Sequence, residues 1–73
     1  MSQSEVALLR QKIIIEYEAM KRGPSGLSWS TSRHAFIDAR LKRVDNYHSE
    51  LVHFIGEKEA TQIICELYTL VMG

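Results

Sequence analysis

The sequence predicts an all-α fold: a three-helix antiparallel bundle whose second and third helices turn through a tight hairpin at Gly56. Three observations carry this prediction. Apolar residues recur every three or four positions through three long stretches, the period of an amphipathic helix. Glycine and proline fall only at Gly23, Pro24, Gly26, Gly56 and Gly73, so those stretches contain no helix breaker. No alternating apolar–polar run is long enough to make a strand.

The first helix is predicted over about residues 5–22. Ser2 or Ser4 can cap its start, and Glu5 suits the positive end of the helix dipole. Lys21 and Arg22 suit the negative end, Gly23 provides the stop, and Pro24 prevents continuation. Residues 23–30 form the one long loop, with Ser30 the favoured cap of the next helix. The second helix is predicted over about 31–55 and the third over about 57–72. Glu57 and Glu59 favour a start directly after Gly56, which leaves room only for a tight turn.

The helix faces hold more apolar surface than three short helices can cover. On the first helix, Val6, Leu9, Ile13, Ile14, Tyr17 and Met20 share one broad face. Leu8, Ile15 and Ala19 lie near the opposite side, which suggests a second contact surface. The second helix has a seam at Ile37, Leu41, Val44, His48, Leu51 and Ile55, with heptad steps of four and three. Phe36, Tyr47 and Phe54 flank this seam, interleaved with Arg40 and Arg43. The third helix gathers Ala60, Ile63, Ile64, Leu67, Tyr68, Leu70 and Val71 on one face, with Cys65 and Met72 off it.

Composition bounds the rest. With 45% hydrophobic and 25% charged residues, the 73-residue chain reads as one folded domain, not a disordered or collagenous one. A chain of this size buries only about 60% of its unfolded surface and gains from added core. Cys65 is the single cysteine, so no internal disulfide is available. It reads as a small buried hydrophobe in a reducing compartment. Self-association then becomes the simplest way to enlarge the core, and a homodimer is the expected state. The chain lacks a basic residue before Val6 and has no apolar run near the ~18–20 residues of a membrane span. A cytoplasmic protein with no membrane partner is the expectation.

Charge is balanced overall, with nine basic and nine acidic residues, but unevenly placed. Residues 10–43 carry eight bases against three acids, and residues 44–73 carry one base against five acids. The basic segment, with Arg40 and Arg43 among aromatics, suggests nucleic-acid binding as an alternative role. The zero net charge and an acidic third helix weigh against it.

No pattern of a catalytic or cofactor site appears, so the chain is predicted to be non-catalytic, with no cofactor and no metal. His34, Asp38, Asp45 and His48 share a side of the second helix, but their spacing matches no established metal site. His48 reads as a buried, hydrogen-bonded histidine within the seam. The loop from Gly23 to Arg33 lacks the Gly-Lys-Ser/Thr ending of a phosphate loop and reads as a capping segment. The expected role is a small helical module for protein–protein interaction or self-association. Its expected contact residues are Leu8, Ile15, Trp29, Phe36, Tyr47 and Phe54, with Arg40 and Arg43 as rim charges.

Overall fold

Glu5 in the first turn and Lys21 and Arg22 in the last complement the dipole of helix α1, Ser2–Arg22. It starts three residues before the expected Glu5. No glycine or proline stops the helix from extending toward the terminus, and the expected Ser2 or Ser4 cap lies outside the described side chains. Gly23 follows at φ +78°, and its N–H donates to the Ala19 carbonyl at 3.0 Å. This is the left-handed closure that glycine accepts without a Cβ clash. Helix α2 spans Thr31–Ile55 and helix α3 spans Glu57–Met72. A computed structural model describes the backbone at 2–23 and 31–73 and the side chains at 5–23 and 34–73. The loop, the Ser30 cap and Trp29 lie outside the described residues.

Gly56 alone separates α2 from α3. Its φ of 89° and ψ of 163° belong to a region essentially closed to residues with a Cβ. The Gly56 N–H donates to Val52 O at 2.9 Å, and Gly56 O accepts the Ala60 N–H at 3.0 Å. One residue therefore closes the last turn of α2 and opens the first bond of α3.

All three helices pack against each other, and the described residues hold no strand. Lys12 meets Tyr47 and Glu16 meets Arg40, so contacts between α1 and α2 run in opposite order. Tyr17 meets Tyr68 and Lys21 meets Val71, so contacts between α1 and α3 run in the same order. The resulting body measures 42 × 20 × 19 Å. Its core joins Leu9, Ile13 and Tyr17 of α1 to Val44 and Leu51 of α2 and to Ala60 and Leu67 of α3.

Burial corrects the helix-face expectations at several points. Ala19 was expected on the outer side of α1 but is buried. Leu41 was expected in the α2 seam but is 43% exposed, while Tyr47 from the flanking stripe packs on the core. Val44, Leu51 and Ile55 of the seam do face inward, so Leu41 is the exposed exception and Tyr47 widens the inward face toward α1. On α3, Tyr68 and Leu70 face outward, and Met72, expected off the face, packs inward. Cys65 is exposed, contrary to its expected burial. Leu67 and Ala60 already occupy the inward face, and Cys65 lies well round the helix from both.

Candidate interaction surface

Glu16 joins α1 to α2. It is only 5% exposed. Its Oε1 accepts a hydrogen bond from Arg40 Nη1 at 2.8 Å, and Arg43 Nη1 approaches the same oxygen at 3.7 Å. Removing a carboxylate from water is costly unless it is paired, and two guanidinium groups from α2 supply the pairing. The Arg40 guanidinium also lies over the Phe36 ring, 5.0 Å from its centroid. One helical turn from Glu16, Lys12 Nζ stands 5.9 Å from the Tyr47 ring centroid. Both cations face ring quadrupoles that attract them.

These contacts place two flanks side by side. On α1, Leu8, Lys12 and Ile15 follow each other at helical spacing. On α2, Phe36, Arg43, Tyr47 and Phe54 do the same. Lys12 on Tyr47 and Glu16 on Arg43 bring the two rows together. Of the expected contact residues, Leu8 is 47% exposed, Ile15 53% and Phe54 39%. Phe36 and Tyr47 are half-buried, and Tyr47 is packed on the core. The flank therefore combines half-exposed apolar side chains with charges already engaged on Glu16. Trp29 falls outside the described residues.

Glu16 did not stand out in the sequence. A single glutamate in a helix with many polar residues looks like a solvated side chain. The available signal was its place between Ile13, Tyr17 and Met20 on the predicted inner face, where a carboxylate requires a cation from another helix.

A second feature is the buried Tyr17 ring, which meets the half-exposed Tyr68 ring edge-on at 5.5 Å, with an interplanar angle of 87°. Burial raises the Tyr17 hydroxyl above its ordinary value near 10, and the negative forms of Cys65, Tyr68 and Asp45 nearby raise it further. This is a structural phenol rather than an activated one, because every influence favours the neutral form.

At the far end of α1, Lys21 Nζ donates to the Val71 carbonyl at 3.1 Å. Helix α3 has no basic residue in its last turn, so α1 supplies the cation for its negative end. Beside this bond runs an open groove of about 510 Å³, lined by Ile14, Glu18, Lys21, Arg22, Leu70 and Val71.

The His–Asp set does not form a cluster. His34, Asp38 and Asp45 are exposed, and among the described residues no three His, Cys, Asp or Glu side chains converge as a metal site would need. His48, expected to be buried, is half-exposed; its Nε2 shares a hydrogen bond with Thr61 Oγ1 at 3.2 Å. That contact places His48 at the edge of α2 facing α3. No described helix is long and apolar enough to cross a membrane. No known protein family, curated protein or solved structure matches the chain.

Proposed function

We propose that the protein is a non-catalytic helical module that associates through the α1–α2 flank, with itself as the first partner. The observation that carries this reading is the exposure of Ile15 and Leu8 beside the Phe36–Tyr47–Phe54 row. Large aliphatic side chains gathered next to aromatics on one flank gain more from a partner than from water. The small core of a 73-residue chain supports the same reading. The proposed state is a homodimer of three-helix subunits, each with α2 and α3 folded as a tight hairpin about Gly56. The proposed setting is the cytoplasm, where an exposed thiol such as Cys65 remains reduced.

The solution mass across a concentration series tests this reading. Wild-type protein is expected near twice 8.4 kDa, and Ile15→Glu is expected to shift toward 8.4 kDa. A wild-type mass of 8.4 kDa at every concentration overturns the self-association reading.

Nucleic-acid binding remains the second proposal, but the ion pairs give it less support than the charge count does. Glu16 neutralises part of the Arg40 and Arg43 charge, leaving less for phosphate. Phosphate contacts require affinity to fall steeply with salt, and a flat salt response removes this role.

A further inference from the structure

We infer that two copies of the chain pair antiparallel through α2, crossing level with residue 45. The inference rests on the self-association reading and adds an orientation to it.

The observation is a second stripe on α2, beside the face that buries Val44 and Leu51. Phe36, Arg40, Arg43, Tyr47, Glu50 and Phe54 follow each other in steps of 4, 3, 4, 3 and 4. This is the spacing of a helix–helix seam. Arg43, Glu50 and Phe54 are exposed, while Phe36, Arg40 and Tyr47 are half-buried. The contacts of Arg40 with Glu16 and of Lys12 with Tyr47 place the stripe along the outer edge of the α1–α2 contact. Leu8 and Ile15 border the same edge. Among the described residues, Glu50 has no ion-pair partner in its own chain.

Any regular stripe maps onto its own reversal; the residue pairs that result are what distinguish the two orientations. Reversed about residue 45, Phe36 meets the partner's Phe54, Arg40 meets the partner's Glu50, and Arg43 meets the partner's Tyr47. Each pair occurs twice by symmetry. Aromatic meets aromatic, cation meets anion, and guanidinium meets a ring face. Arg40 uses Nη1 on Glu16 and keeps further N–H donors for a second carboxylate. The parallel orientation sets every residue against its own copy. Arg40, Arg43 and Glu50 then form three layers of like charge, which oppose association. The charge pattern thus selects the antiparallel pair.

Two measurements test this. Sedimentation of Glu50→Arg at low salt reads the charge pairing, because the substitution sets cation against the partner's Arg40 twice. Dimerisation is expected to weaken on the order of tenfold or more, with helical content unchanged because Glu50 is exposed. Glu50→Gln is expected to weaken it less. Crosslinking then reads the orientation. Phe36→Cys and Phe54→Cys chains, each also carrying Cys65→Ser, are mixed and treated with a mild oxidant. A disulfide joining one chain of each kind, with little coupling of either chain to itself, is the expected result. A dimer that resists Glu50→Arg, or that couples position 36 to 36, overturns the antiparallel pairing and leaves self-association standing. A wild-type monomer overturns both.

Discussion

Arg40 on α2 holds the buried Glu16 of α1 through an Nη1–Oε1 hydrogen bond of 2.8 Å. Arg43 adds a longer contact to the same oxygen at 3.7 Å. The two arginines are not equivalent. Removing Arg40 leaves a carboxylate in a nearly closed site with only the weaker neighbour. Arg40→Ala is expected to lower unfolding stability by about 2–3 kcal/mol, below the full cost of a broken buried pair because Arg43 remains. Arg43→Ala is expected to cost less than about 1 kcal/mol, as for an exposed pair. Urea unfolding of the two variants checks the order. Equal losses would mean that Arg43 shares the load at Glu16.

Tyr17 is expected to make stability fall at alkaline pH. Its folded value lies above its unfolded value near 10 because burial disfavours the phenolate. A group whose folded value is raised contributes stability that is fully present below the unfolded value and lost as pH rises through the folded one. Stability is therefore expected to be insensitive to Tyr17 at neutral pH and to fall above about pH 10. Tyr17→Phe removes the titrating hydroxyl and is expected to flatten that fall. Chemical denaturation at pH 7 and at pH 10–11 reads the difference between the two proteins; parallel losses would move the alkaline sensitivity elsewhere.

Gly56 joins two helices with one residue at φ 89° and ψ 163°. Nothing lies within 4 Å of the position a Cβ would take, so the penalty for a side chain there comes from the backbone rather than from crowding. Gly56→Ala is expected to cost about 1–3 kcal/mol. Thermal unfolding followed by circular dichroism measures it. A neutral result would mean that the link relaxes to a different backbone conformation at little cost.

Leu41 and Leu51 belong to the same expected seam of α2 but differ in burial. Leu51 is fully buried and Leu41 is 43% exposed. Leu51→Ala is expected to cost about 2–5 kcal/mol through lost burial and a cavity. Leu41→Ser is expected to cost less than about 1 kcal/mol. Similar losses at the two positions would show that Leu41 is covered as well as Leu51.

Much of this fold is legible before any coordinates, because it depends on local chemistry. Helical spacing of apolar residues and the absence of internal glycine or proline suffice for an all-helical chain of three packed helices. The burial of Leu9, Ile13 and Tyr17 follows from their shared face on α1. The sequence reads Leu8, Ile15, Phe36, Tyr47 and Phe54 as residues that one small core would not fully cover; Leu8, Ile15 and Phe54 are exposed, Phe36 is half-buried, and Tyr47 packs on the core instead. That they form a single flank was not legible, since nothing in either helix alone says which face meets which.

The sequence by itself determined the class of fold and the rough inward face of each helix, because both arise from the 3.6-residue period acting within one element. Only the tertiary structure decided which flank of α2 meets which helix: Arg40 and Tyr47 contact α1, His48 meets Thr61 of α3, and Leu41 is left exposed. It alone decided that Glu16 is buried and that Lys21 of α1 serves the end of α3. The physical reason is the same in each case. A buried carboxylate or an open helix end is satisfied by whichever group arrives from another helix, and that arrival is fixed by packing across the core rather than by neighbours along the chain.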